Sequence, residues 1–329
     1  GGAGATPPAT TTPRPRFEPP ATSDATLSAM RPDPTHTVAQ ILVAQDGTGD
    51  YDNIGDAIAA VDQARAVPMA VKALTSPTPL VRVDIGIKPG VYDHGTWDGG
   101  FATPWINVYA LDPTPHATVC NYGIEPWGGL YWEGVDLINP PEVITYDPKY
   151  AAHIHSNAGG DALGSTMIFA GMMFSNRSSA SGGGGMPIGM DGADDGTLVL
   201  HNVTLERTGT SGERTGLHGW DNLTRGMADI VFSRVTFAGG HLYYSALNDH
   251  TTEHMWVVDC AAKSAGIEGA ATSLHIARSV FDGTYSGPYA GVKPVQSGAP
   301  LTGVTDTRSD WPIPTGGLSA HDKQRWGIA

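Results

Sequence analysis

The stretch "TLVLHNVTLERTG", residues 197 to 209, alternates apolar and polar positions, breaks step at Asn202, and then alternates again. Written as a template, it reads apolar, any, apolar, any, breaker, apolar, any, apolar. The same template fits "LYWEGVDL" with breaker Gly134, "MIFAGMMF" with Gly171 and "IVFSRVTF" with Arg234. It fits again in "MWVVDCAA" with Asp259 and "LHIARSVF" with Arg278. Alternation with period two marks a strand with one buried face. A step at one fixed place means that the chain turns a corner there and keeps its apolar side inward. Gly, Asn and Asp tolerate the backbone angles of such a corner; Arg234 and Arg278 suit the role less well.

The columns of this alignment are apolar almost throughout. Leu130, Met167, Leu198, Ile230, Met255 and Leu274 form the first, and Trp132, Phe169, Leu200, Phe232, Val257 and Ile276 the second. After the breaker come Val135, Met172, Val203, Val235, Cys260 and Ser279, then Leu137, Phe174, Leu205, Phe237, Ala262 and Phe281. Successive breakers are 37, 31, 32, 25 and 19 residues apart. A drifting period of this size indicates a solenoid whose insertions lie in loops. A propeller needs about 40 to 45 residues and four strands per blade, which the 19-residue interval excludes. A β-sandwich would not keep such columns aligned. The expected fold is all-β, a parallel β-helix with like residues stacked coil on coil.

Composition narrows the partners. Among 329 residues, 19 Lys and Arg stand against 33 Asp and Glu, a formal charge of −14. That disfavours nucleic acid and anionic membranes, whose phosphates call for clustered Lys and Arg. No apolar run approaches the 18 residues or so that suggest a membrane span, so no membrane insertion is expected. Cys120 and Cys260 are the two cysteines. Cys260 falls in an inward column and Cys120 about one coil before the first clear repeat. About five coils separate them, on the order of 24 Å at strand spacing. A disulfide needs Cα atoms about 4.4–6.8 Å apart, so two free thiols are expected.

Residues 1–37 carry eight of the 25 prolines and many Thr and Ala. They read as an extended arm without a core of its own, held either against the body or against another chain of an assembly. The second option is the expected one. Residues 38–100 read as an N-terminal cap and first coil, 101–289 as the solenoid, and 290–329 as a C-terminal cap or contact arm. Within the cap, "ILVAQDGTGDYDNIGDAIAAVDQARA" reads as strand, turn and helix. Asn53 or Asp52 would cap the helix, whose Ile54, Ala57, Ile58 and Val61 share one face. Laid over the open end, this capping helix would shield the first coil. "VRVDIGIKPGVYD" follows as a strand ending in a Pro-Gly turn.

The segment "VAQDGTGDYDNIGDAIAAV", followed by "IGIKPGVYD", resembles the N-terminal part of pectin methylesterases and related pectin-lyase-like proteins. The resemblance covers about 50 residues and implies a right-handed parallel β-helix. It also implies a place among polysaccharide-handling proteins, such as secreted lyases, hydrolases or esterases, or phage tail β-helices. The family's catalytic motifs, of the kinds Gln-Asp-Thr-Leu, Asp-Phe-Ile-Phe-Gly and Leu-Gly-Arg-Pro-Trp, are not found in the sequence, so no catalytic residue is carried over.

Between the repeats lie shorter apolar nuclei: "AHIHS", "MPIGMDG", "GLHGWDN", "HLYYS" and "GIEG". They read as strands of another sheet, with Ile154, Ile188, Leu217, Tyr243 (or Leu242) and Ile267 roughly equivalent. Their expected outward neighbours are His155, Asp191, His218, Trp220, Asp221, Tyr244 and Glu268. Rings stack on sugar faces, and carboxylates and imidazoles hydrogen-bond hydroxyls, so these residues are the candidate glycan contacts. Asp191, Asp194, Asp195 and Asp221 could supply a carboxylate pair, although Asp in Gly-rich turns commonly only forms the turn. The pairs His153/His155 and His250/His254 lack Cys partners and are weak metal signals. No cofactor or metal is expected. Sequons occur at Asn176, Asn202 and Asn222.

Two functions are compatible with these readings. One is a structural and adhesive β-helix of a phage tail or similar surface assembly, extracellular or on a virion, homo-oligomeric and facing host glycans. The other is a secreted polysaccharide-active enzyme.

Overall fold

The computed structural model describes residues 16–32, 39–65, 83–93, 99–101, 106–126, 129–140, 150–155, 166–177, 187–191, 197–207 and 215–219. It further describes residues 229–238, 241–245, 252–263, 267–268, 271–277 and 279–281. Its main feature is a 15-stranded parallel sheet that curls like half of a barrel. One flank runs through Ala39–Val43, Val83–Ile87, Ile106–Ala110, Leu130–Glu133 and Thr166–Asn176. It continues through Thr197–Arg207, Asp229–Ser233, Thr252–Val258 and Ala271–Ala277. A second parallel sheet has five strands: Ala152–His155, Ile188–Asp191, Thr215–Gly219, His241–Ser245 and Ile267–Glu268. From Thr166 to Ala277 the strand order returns repeatedly from the long sheet to the five-stranded sheet and back, with some repeats of the long sheet split in two at the corner. Every paired strand among the described residues is parallel to its neighbour, which excludes an antiparallel sandwich there.

The curl comes from the expected corner. Gly134, Gly171, Asn202, Arg234 and Asp259 have φ of 73°, 59°, 52°, 53° and 53°. One left-handed residue turns each strand while both halves keep their apolar side inward. Arg234 takes this conformation although arginine has no special preference for it. Its amide donates to the Val258 carbonyl at 2.9 Å, and its guanidinium is tied to Asp24. Arg278 lies outside the described residues.

The strand register reproduces the sequence columns. Leu130 pairs with Met167, Met167 with Leu198, Leu198 with Ile230, Ile230 with Met255, and Met255 with Leu274. Beyond the corner, Leu137, Phe174, Leu205, Phe237, Ala262 and Phe281 follow one another in the same way. Trp132, Phe169, Phe174, Phe232 and Phe237 are fully buried in the resulting core. Ser279 sits in an inward column because its hydroxyl is satisfied: it accepts from the Cys260 amide at 3.1 Å and donates to the Val257 carbonyl at 3.1 Å. Asn176 is buried with Asn139, whose amide donates to it at 3.2 Å. That removes Asn176 as a surface sequon.

The capping helix is Ile54–Arg65. Asn53 is its N-cap, accepting from the Gly55 amide at 2.7 Å. Ile54, Ala57, Ile58 and Val61 join the core formed by Val43, Ile85 and Ile87. Both cysteines are free and buried, and burial pushes each thiol up to about 12.

Residues 16–32 lie against the chain's own sheet, the first of the two alternatives drawn for the arm. Residues 1–15 and 282–329, including the expected C-terminal cap, are outside the described residues. Asp24 caps the helix Ala25–Met30 by accepting from the amides of Thr26 and Leu27. Leu27 and Met30 pack on an outer column of the long sheet made of Tyr131, Ile168, Val199, Val231 and Trp256. Phe17 reaches the sheet where Gly86 leaves room: a Cβ there would stand 2.7 Å from the ring. Polar pins complete the strap. Arg16 pairs with Asp50, Arg31 grips Glu133 with two nitrogens, and Gln40 bonds the Phe17 amide at 3.1 Å and its carbonyl at 3.0 Å.

Candidate functional site

The five-stranded sheet carries the candidate residues on a register that the backbone fixes. Ala152 pairs with Ile188, Ile188 with Leu217, Leu217 with Tyr243, and Tyr243 with Ile267. The next position in each strand brings His153, Gly189, His218, Tyr244 and Glu268 side by side. A parallel bridge from Ile124 to Ala152 extends this row by one residue, so that Glu125 stands next to His153. The row is therefore Glu125, His153, Gly189, His218, Tyr244, Glu268. At strand spacing it runs for roughly 24 Å.

His155 and Asp191 pair with each other two positions further along their strands. The expected single ladder is thus two neighbouring columns. His218, Tyr244 and Glu268 fall in one and His155 and Asp191 in the other, while Trp220 and Asp221 lie outside the described residues. The sequence alignment equated Ile154 with Ile188, but Ile154 pairs with Met190 and Ala152 with Ile188. Matching the bulkiest apolar residue misplaces the strand by two, a slip that period-two patterning cannot detect.

Glu125, His153 and Gly189 were not among the candidate glycan contacts, although His153 was paired with His155 as a weak metal signal. A signal for Glu125 does exist. The tripeptide Gly-Ile-Glu occurs at residues 123–125 and again at 266–268, and the two glutamates stand in the same column. His153 Nδ1 is 3.9 Å from Glu125 Oε1, and their side chains retain 17% and 10% exposure. Its ring also lies 5.1 Å, centroid to centroid, from the ring of Tyr150. Tyr150 itself is buried over Gly189, where a Cβ would meet it at 2.5 Å. This end of the row is consequently enclosed, an acid and an imidazole meeting beside a phenol ring. Burying a carboxylate is costly without a partner, and the His153 ring is the titratable group that stands beside Glu125 here.

Chemically, the row offers carboxylates at both ends and imidazole and phenol between them. Retaining and inverting glycosidases hold their two acids about 5–10 Å apart. Glu125 and Glu268 stand five strand steps from each other, far beyond that range. Those two acids therefore do not form such a pair. Asp194, Asp195 and His250 lie outside the described residues, and among the described residues no three His, Cys, Asp or Glu side chains converge to hold a metal. No protein-family model matches the chain, and no curated protein matches it either.

Proposed function

We propose that this protein is a right-handed parallel β-helix of a phage tail or similar surface assembly, and that it contacts cell-surface glycans along the outer row of its five-stranded sheet. The observation that carries this reading is the register that sets His218, Tyr244 and Glu268 side by side beyond the enclosed Glu125 end of the row. It lines up acid, imidazole and phenol groups at the repeat distance of a sheet, as an extended polymer requires. The alternation of strands between two parallel sheets supports the helical path, and the formal charge of −14 favours neutral glycans over nucleic acid. An extracellular or virion-surface setting and homo-oligomeric assembly belong to the same reading.

A second reading, a polysaccharide-cleaving enzyme, draws on the enclosed Glu125–His153 pair, since acid–base groups are commonly tuned by burial and a close partner. One experiment separates the two. The full chain is applied to immobilised bacterial and plant polysaccharides, with bound protein and released oligosaccharide both recorded. Binding without release, weakened at least about tenfold by Tyr244→Ala or Glu268→Gln, is the expected result. Release abolished by Glu125→Gln would replace it with the enzyme reading. Binding that ignores all three substitutions would remove the row from any role.

A further inference from the structure

The strap over residues 16–32 is held by few apolar anchors. Phe17, Leu27 and Met30 are those anchors, and ordering the strap costs conformational entropy that so few of them offset only in part. Polar pins supply the rest of the hold, and the central pin is titratable. Asp24 Oδ2 lies 3.1 Å from His201 Nε2, and His201 Nδ1 lies 3.0 Å from Ser233 Oγ. Arg234 reaches the same carboxylate from the corner that follows Asp229–Ser233. His201 and Ser233 are register neighbours on the outer face of the long sheet, both 1% exposed.

We propose that residues 16–32 form a pH-sensitive strap, released by protonation first of His201 and then of Asp24, and that its release uncovers the apolar column Tyr131, Ile168, Val199, Val231 and Trp256. Among the described residues, the charged groups facing His201 are Asp24 from the helix cap and Arg234 from the corner. Its register neighbours Ala170 and Ser233 bring no charge. Neutral His201 donates from Nε2 to Asp24 and accepts from Ser233 at Nδ1. Protonation turns Nδ1 into a donor and places a second cation near Arg234, on a ring that is itself 1% exposed. Lifting the strap returns that ring to solvent, where the charge is hydrated.

The direction follows from linkage. Burial pushes His201 down, and the nearby Asp24 carboxylate does not restore it to its ordinary value of 6.5. Docking is then at full strength above pH 6.5 and weakens as pH falls from there toward the lower value of the docked ring. Burial pushes Asp24 up, but bonds from the Leu27 amide and His201, with the charges of His201 and Arg234, hold it below its ordinary 3.8. A second loss of docking follows as pH falls below 3.8. Each unit of difference between docked and free values changes the docking equilibrium about tenfold.

The test is a spin label on Ser28→Cys in the full chain, since Ser28 is exposed and both native thiols are buried. An immobile spectrum at pH 7.5 should give way reversibly to a mobile component as the pH falls below 6.5. Binding of an apolar dye should rise in parallel while far-ultraviolet dichroism stays constant. His201→Gln should lose this step. Asp24→Asn, which can still cap the helix, should already show a raised mobile fraction at pH 7.5. A spectrum that stays immobile down to pH 4.5 would overturn the proposal. So would an unchanged step in His201→Gln, or loss of dichroism together with the first step.

Discussion

Gly189 lies beneath the ring of Tyr150, so close that a Cβ at this position would stand 2.5 Å from Cε2 and 2.6 Å from Cδ2. Tyr150 is fully buried and packs against His153, so it has little room to retreat. Gly189→Ala should therefore cost about 1–3 kcal/mol, the usual range for overpacking. A thermal melt checks this, and an unchanged melting temperature would mean that the Tyr150 ring is free to move. Because Tyr150 also contacts His153, the same variant should weaken any binding that depends on the Glu125 end of the row.

The corner residues allow a sharper test of backbone strain. Asn202 has φ of 52° and its side chain is exposed, whereas Thr204, two residues on, is exposed in the regular strand. Asn202→Val should destabilise by about 1–2 kcal/mol, because a left-handed conformation crowds a β-branched side chain. Thr204→Val should stay within roughly 0.5 kcal/mol. Equal effects in chemical denaturation would show that the conformation at the corner is not what matters.

Phe237 is 1% exposed and stands between Leu205 and Ala262 in the column beyond the corner. Phe237→Ala should cost about 3–5 kcal/mol through lost burial and the cavity left behind. Phe237→Asp should be worse, because it adds an unpaired charge to the same place. A native-like melting temperature for Phe237→Asp would contradict the column.

Cys120 and Cys260 are fully buried, and burial raises both thiols to about 12. At pH 8 neither should react with a disulfide-exchange reagent on the native chain, and both should react once denaturant is present. Rapid labelling of one thiol in the native state would place it at the surface and disprove its inward position.

The long sheet was legible because its signal is redundant. Five corners, from Gly134 to Asp259, adopt the backbone that the break in alternation implies. The columns on either side pair in the register that the template aligns. The five-stranded sheet was less legible. Its strands are two to five residues long, and a nucleus such as "AHIHS" offers both Ala152 and Ile154 as inward residues. A slip of two leaves every side chain on the same face, so alternation could not decide between them. It did decide which residues share a row once the ladder was known, and it left Glu125 to be found by its bridge to the first strand.

By itself the sequence determined the repeating unit of the sheet, its corner and its inward columns. Those depend on local alternation and on one backbone turn for each repeat, information contained within about eight residues. Only the tertiary structure decided the long-range meetings: Glu125 with His153, Tyr150 over Gly189, and Asp24 with His201 across 177 positions of chain. A polar residue on an outer face reads the same whether it meets water, a strap or another side chain. Its partner is chosen by how the loops and the arm close over the sheet, and no local pattern records that closure.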